Sequence, residues 1–334
     1  MNDRGDTGVE RSPMTVVIPG GTGQVGGLLR RALVARGHRV TVLSRRVEQL
    51  EPGVRHVRWD GRTLGAWATE FEDADAVVNL AGRTVSCRYN DTNLRQMMDS
   101  RVDSARVVGE AIAQAARAPR VWLQASTATI YADARSRPDD LAHTEANGII
   151  GGAEPDTPLY WEYSTRIARR WEQTQAAAPT AQTRRVALRT AMVMTPDRGG
   201  VFDYLSWMTR LGLGGPVDGG RQYVSWIHGE DFVRAVLFLL EREDLDGPVN
   251  VTSPDPVPQQ ELMRSLRRAW RCPIGLPATR FMAEIGAFAL RTDTELLLKS
   301  RRVVPGRLLD AGFTFTHPTW DAAAADLARL ARTR

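Results

Sequence analysis

Three glycines spaced by two residues, Gly20, Gly23 and Gly26 in "IPGGTGQVGG", follow a short β-branched run and precede a stretch of helical periodicity. Such a strand–turn–helix unit can cradle a pyrophosphate. The glycines permit the tight turn and let backbone amides approach the phosphates, and the helix N-terminus then faces their charge. Gln24 and Val25, within that turn, belong to the same expected site. The next strand ends in "VLSRR". An NAD-selective groove usually has a carboxylate there for the ribose hydroxyls; here Ser44, Arg45 and Arg46 stand instead, and a guanidinium fork suits a 2′-phosphate. NADPH/NADP is therefore the expected cofactor. Asp60 is either a partner for an adenine amino group or a turn residue. "NLAG" (79–82) ends a strand in small residues, so Ala81 and Gly82 are expected where backbone passes close to the ligand.

These residues need a frame. "MTVVIPG", "HRVTVLSRR", "VRHVRWD", "ADAVVNLAG", "RVWLQASTATIY" and "RRVALRTAMVM" read as strands. They alternate with helical patterns at "QVGGLLRRALVARG", "NLRQMMDSRVDSARVVGEAIAQAAR" and "YWEYSTRIARRWE". That rhythm predicts an α/β fold: a Rossmann-type doubly wound parallel sheet with a smaller C-terminal α/β substrate lobe. Residues 1–13 read as a loose tail, 14–195 as the NADP-binding domain with strand 248–252 returning to it, and 196–334 mainly as the substrate lobe. "GGVFDYLSWMTRLGLGGPVDGGRQ" reads as irregular, "SWIHGEDFVRAVLFLLER" as a strand end entering an apolar helix, and "GPVNVTS" as a further strand.

Composition narrows the partners. Apolar residues make up 43% and charged residues 25% of 334, as in ordinary globular chains. No secretory core or bilayer-length apolar run stands out, so a cytoplasmic protein without a membrane partner is expected. Two cysteines and five scattered histidines give neither a disulfide framework nor a metal spacing. The net charge of +5 comes from dispersed arginines rather than a basic module, so no nucleic-acid partner is expected; a small-molecule substrate is. The oligomeric state stays open. Of 44 basic residues only Lys299 is a lysine, a bias that a GC-rich coding sequence produces.

"GGTGQVG", "NLAG", "STATIY", "SWIHGEDFVRA", "GPVNVTSPDPVP" and "SRRVVPGRLLDAGFTF" together resemble the atypical extended short-chain dehydrogenases/reductases. The similarity is to the "epimerase family protein" subgroup, which ends in a C-terminal domain of unknown function, and it runs from Met14 over nearly the whole chain. It implies a Rossmann domain, an NADP-type cofactor and a C-terminal substrate lobe. In ordinary members a Ser or Thr ends the fifth strand; Thr127 falls there, with Ser126 beside it. The following helix carries Tyr-x-x-x-Lys. On the alignment through "RRWE", Tyr163 takes the tyrosine position and Ile167 the lysine position. Thr127, Tyr163 and Ser126 are thus the implied catalytic candidates. Arg166 and Arg170, on the same side of the helix as Tyr163, either replace the missing charge or are solvated.

The missing lysine has a size. An unassisted tyrosine is ionised to about one part in a thousand at neutral pH, an offset of ~4 kcal/mol. Lys299 falls in a run that is structural in the resemblance. Tyr131, at a cofactor-lining position, is read as structural, and His228 and Asp231 as a packed strand-to-helix junction. Nucleotide-sugar epimerases hold an arginine where this sequence has Val224, with Arg221 out of register, which counts against a nucleotide-sugar substrate. Phe202, Tyr204, Trp207, Met208, Tyr223 and Trp226 suit an apolar ligand or a core equally. The expectation is an NADPH-dependent ketoreductase acting on a small apolar or aromatic, polyketide-like metabolite of the kind made in antibiotic biosynthesis. The alternatives are a non-catalytic NADP(H)-sensing protein, and an epimerase or dehydratase that uses the cofactor transiently.

Overall fold

The computed structural model describes residues 12–47, 51–137, 139–152, 154, 159–279 and 295–333. In chain order the first half runs β1 (Thr15–Pro19), α1 (Gln24–Ala35), β2 (Arg39–Ser44), β3 (Val54–Arg58), β4 (Ala76–Asn79), α2 (Asp91–Gln114), β5 (Val121–Thr127), α3 (Leu159–Ala176) and β6 (Arg184–Thr190). The second half runs β7 (Met192–Met194), α4 (Val201–Arg210), β8 (Tyr223–Val224), β9 (Trp226–His228), α5 (Gly229–Glu241), β10 (Gly247–Val251), β11 (Val257–Pro258), α6 (Gln259–Trp270), α7 (Glu295–Leu298), α8 (Gly306–Asp310) and α9 (Trp320–Arg332).

Seven parallel strands form one sheet in the order β10-β6-β5-β4-β1-β2-β3. The chain winds outward in one direction from β1 and in the other from β4, so the order reverses between these two strands. A crevice opens there at the carboxyl ends of the strands. Both sheet faces are covered, which explains the near-continuous apolar runs. Val16, Ile18, Leu123 and Leu188 pack with Leu29 and Leu33 of α1 and with Phe232, Val236 and Leu239 of α5. Val17, Val77 and Trp122 pack on the other face with Val107, Val108 and Ile112 of α2 and with Trp171 of α3. Helix α2 starts sharply because the Asn90 side chain accepts the Asn93 N–H at 2.8 Å, a side-chain N-cap.

Two expectations are corrected. "RRVALRTAMVM" is not one strand: it breaks at Ala191, after which β7 leaves the main sheet to pair in parallel with β9. The start of the glycine-rich stretch is not irregular but forms α4, burying Phe202, Ser206 and Thr209 at i, i+4 and i+7. Helices α4, α6 and α9 share a third core, built around Trp226 and Trp320, whose rings meet edge-on at 4.9 Å. Both indole N–H groups are satisfied by backbone, Trp226 by Asp255 and Trp320 by Leu262. Phe202 and Trp226 are therefore core, whereas Tyr204 and Trp207 lie exposed on the outer side of α4. No helix is long and apolar enough to cross a membrane among the described residues.

Candidate cofactor groove and active site

The glycine turn is built for close approach. Gly20 has φ +75, and a Cβ built on it would lie 2.6 Å from Ala81 Cα; one on Gly26 would lie 2.5 Å from the Gly21 carbonyl oxygen. Only glycine fits at either place. Gly23 differs, since a Cβ there would meet nothing nearer than 3.9 Å, and so it borders open space. The first bond of α1 runs from the Gly27 N–H to the Gly23 carbonyl, which leaves the N–H groups of Gln24, Val25 and Gly26 ahead of the ladder. The cap has no side-chain acceptor. These amides and the helix dipole make an anion cradle. The Gln24 side chain points elsewhere, donating to Thr195 Oγ1 at 2.7 Å and tying the turn to the loop after β7.

Sequence reasoning missed the brace behind this turn. Buried Arg30 donates to the Gly21 carbonyl at 2.6 Å and pairs with Glu51 at 2.6 Å. Its hydrogen bond draws the Glu51 carboxyl down to about 2. The available signal was an arginine on the apolar stripe of α1, beside Leu29 and one turn before Leu33. A cation on a buried face needs a partner.

The groove continues toward β2 and β3. A cavity of about 330 Å³ is lined by Gly20, Gly23, Ser44, Arg45, Asp60, Ala81 and Gly82, among others. A second, of about 450 Å³, shares Arg45, Trp59 and Asp60 and adds Arg58 and Thr63. Arg45 thus stands on the wall common to both. Arg46 is exposed and lines neither. The Ser44 hydroxyl is already engaged, donating to the Arg46 carbonyl and touching His56 Nε2. Asp60 closes its own turn, accepting the N–H groups of Arg62 at 2.8 Å and Thr63 at 2.9 Å. Burial raises its pKa, but these hydrogen bonds and that of the Thr63 hydroxyl outweigh it and hold the carboxyl below its usual range. The turn reading of Asp60 is realised, and its position on the cavity wall coexists with it.

On the other side of the strand-order reversal, beyond β4, lie β5 and α3. Thr127 Oγ1 accepts the Thr129 N–H at 3.1 Å, capping a one-turn 3-10 helix, Ala128–Ile130. An accepting hydroxyl keeps its own proton to donate. Ser126 faces α3 and donates to Glu172 at 2.6 Å. Glu172 also holds Arg189 at 2.8 Å, and Arg189 donates to the Tyr131 hydroxyl, which in turn donates to Asn250. Ser126 and Tyr131 are members of this buried relay, which ties β5, β6, β10 and α3 together.

Ile167 is only 6% exposed and packs with Leu94 and Met97 of α2; Tyr163, Tyr89 and Cys87 border the same apolar cluster. The Arg166 guanidinium lies over the Tyr163 ring at 4.4 Å, and Arg170 is exposed. Lys299, distant in sequence, is 2% exposed and donates to the Thr129 carbonyl at 2.9 Å. Burial, then Arg301, pulls it down to about 8. Arg301 Nε reaches Thr129 Oγ1 at 3.1 Å, so two cations of the C-terminal segment hold the turn that follows Thr127.

His228 caps α5 through Nδ1, which accepts the Glu230 N–H at 3.1 Å. Its proton therefore sits on Nε2, which faces Asp326 at 3.5 Å. A protonated nitrogen is no metal ligand, so the cluster of His228, His317 and Asp326 does not suit a cation in this arrangement. Asp231 is fully buried and accepts the backbone N–H groups of Thr316 and His317, each at 2.8 Å. Both residues serve the junction.

The model of the NAD dependent epimerase/dehydratase family matches residues 16–252, which span the seven-stranded sheet and the glycine turn. The chain belongs to that family. Residues 279–327 match a domain of unknown function, DUF1731. The human epimerase family protein SDR39U1 is 29% identical over 319 residues, covering 94% of this chain and 99% of the relative. Epimerase family protein Mb2239 of Mycobacterium bovis is 33% identical over 307 residues, covering 91% and 94%. The crystal structure of human SDR39U1 (isoform 2) with NADPH superimposes with a TM-score of 0.80 at 27% identity, covering 95% of this chain and 99% of that one. The matched family, the C-terminal domain and the fold agree with the resemblance drawn from the sequence.

Proposed function

We propose that this member of the family is an NADP(H)-dependent oxidoreductase that reduces a carbonyl on a small apolar or aromatic, polyketide-like metabolite. The reading is carried by one observation: the Gly20–Gly26 cradle, Arg45 and the Thr127 hydroxyl stand along the carboxyl edge of a single parallel sheet. The NADPH in the structure of human SDR39U1 supports the choice of cofactor. Gln24, Val25 and Gly26 would hold the pyrophosphate through backbone N–H groups, and Arg45 the 2′-phosphate. Bound NADPH supplies hydride to the carbonyl carbon.

The chain's part is the proton and its placement. Thr127 donates to the carbonyl oxygen, held in position by Thr129, Lys299 and Arg301. A threonine hydroxyl is a weak acid, so the favoured substrate assists itself, its ketone already hydrogen-bonded to a neighbouring phenol. Tyr163 is the second donor. Ser126 shapes the strand end through Glu172. Val224, at the position where a diphosphate-gripping arginine is expected in sugar epimerases, lies buried in the C-terminal core, which speaks against a nucleotide sugar. Loss of nicotinamide absorbance with a panel of aromatic ketones tests the reading; no turnover across the panel refutes it.

A second reading is favoured by Ile167. Its burial closes the lysine position, as suits a protein that binds NADP(H) to report redox state without turnover. Tight binding, no consumption and a partner retained with one redox form only would select it. Retained cofactor with substrate interconversion but no net consumption would instead select an epimerase or dehydratase.

A further inference from the structure

The buried arginines Arg30 and Arg189 have carboxylates, Glu51 at 2.6 Å and Glu172 at 2.8 Å. Arg101 of α2 has none within ion-pair distance among the described residues. Its hydrogen bond goes to the Met97 carbonyl of its own helix, from Nη1 at 3.1 Å, and its guanidinium lies 5.0 Å above the Trp171 ring. Burial lowers it to about 10, so it is still charged at neutral pH. Arg101 is half-buried, and even partial removal of a cation from water without a counter-ion is costly, so a fold that retains one has a use for the field.

The place of Arg101 says which use. Ser100 and Ser104, its neighbours on α2, line the cofactor groove, and the Arg101 side chain lies against Gly82, which lines it too. A Cβ built on Gly82 would meet Arg101 Cγ and Cζ at 3.4 Å. Gly82 follows β4, on the far side of the strand-order reversal from Arg45 and Asp60. A dinucleotide lying across such a crevice puts its adenosine half over β1–β3 and its nicotinamide half over the β4 side.

We infer that Arg101 makes the groove discriminate between the two redox forms, holding NADPH in preference to NADP+. The reduced nicotinamide ring is neutral and the oxidised ring is a cation. A fixed positive charge beside that half of the groove, partly shielded from water, repels only the oxidised form. Arginine cannot shed its charge to relieve the repulsion. It thereby returns a cation to the α2–α3 seam where Ile167 carries none. This rests on the reading of the groove as an NADP(H) site.

The test is the ratio of dissociation constants, Kd(NADP+)/Kd(NADPH), taken from cofactor fluorescence and from competition, in the wild type, R101Q and R101K. The wild type should bind NADPH the more tightly. R101Q should lower the ratio about tenfold, chiefly by tightening NADP+, and R101K should preserve it. A wild-type ratio near one overturns the inference without any variant, which covers an R101Q that does not fold. Equal weakening of both forms in R101Q also overturns it, since Arg101 would then be a phosphate contact. A wild type that binds neither nucleotide overturns the cofactor reading, and the inference with it.

Discussion

The Arg101 guanidinium lies 5.0 Å above the ring of Trp171, while Ile167, one turn earlier on α3, packs against Met97, one turn earlier on α2. Two helices thus meet through one apolar pair and one cation–π pair. At this seam α3 contributes the apolar Ile167 and the Trp171 ring, and the charge comes from its neighbour α2.

Restoring the lysine should therefore fail. Ile167→Lys places an ammonium in a cluster of Leu94, Met97 and Cys87, near a guanidinium that has no carboxylate at ion-pair distance among the described residues. The expected cost is roughly 3–5 kcal/mol of stability, the usual penalty for an uncompensated buried charge, with no gain in turnover. Denaturant midpoints and NADPH consumption check both halves. A stable I167K with raised activity would mean that the lysine pocket is still open.

The glycine turn offers a contrast within three residues. Gly20→Ala should lose both fold stability and cofactor binding, because its Cβ would lie 2.6 Å from Ala81 at φ +75. Gly23→Ala has room for its Cβ and an ordinary φ of −69, so melting should barely change. That methyl enters the space left for phosphate, so cofactor affinity should fall at least about tenfold. Thermal shift with and without NADPH separates the two. Equal behaviour of the two variants would contradict the assignment of that space.

Much of this was legible in the sequence because it is local. The strands show as apolar runs, α1 and α3 as stripes, and the glycine turn by its context between them. Helix α4 was obscured because Gly212, Gly214 and Gly215 follow it directly and its stripe spans barely three turns. The break between β6 and β7 carries no proline or glycine at Ala191, so nothing local marks it. The roles of Lys299 and Arg101 were out of reach for a different reason. Each depends on a partner supplied by another element, Thr129 in one case and Gly82 with Trp171 in the other. Sequence spacing carries no information on such meetings.

Arg45 should set cofactor choice. Arg45→Ala removes the guanidinium common to both cavities while leaving the sheet untouched. The Kd for NADPH should rise about tenfold or more while that for NADH stays within a factor of two, because only the former carries the 2′-phosphate. Arg46→Ala, on an exposed residue outside both cavities, should change neither. If Arg46 dominates instead, the loop after β2 adopts another course when the cofactor binds.

Acid should loosen the fold above the carboxylate range. His143 and His228 are buried, and burial first, then Arg137 and His317 respectively, pulls each from 6.5 to about 4. A depressed folded pKa means that the unfolded chain takes up the proton first as pH falls. The stability from keeping each ring neutral is fully present above about pH 6.5 and is lost progressively toward pH 4, at most roughly 3 kcal/mol per histidine. Urea midpoints at pH 7.5 and 4.5 should differ accordingly, and His228→Asn should remove about half of the difference. Identical midpoints would show that neither ring is held neutral.

The donor assignment separates Thr127 from Tyr163. Thr127→Val removes the hydroxyl proton that Thr127 offers at the strand end, where Ser126 is committed to Glu172, and it also removes the cap on Thr129. Thr127→Ser keeps both functions and controls for the cap. With a simple ketone, T127V should lower kcat by about 100-fold, T127S by less than about fivefold, and Y163F by less than about tenfold, the usual reach of a positioned proton donor. With a ketone that carries an adjacent phenol, the loss in T127V should shrink, because the substrate then brings its own hydrogen bond. Steady-state kinetics on that pair of substrates decides the matter. A Y163F variant that loses more than T127V on the simple ketone would transfer the donor's role to α3, and an equal loss on both ketones would remove the substrate's part in the chemistry.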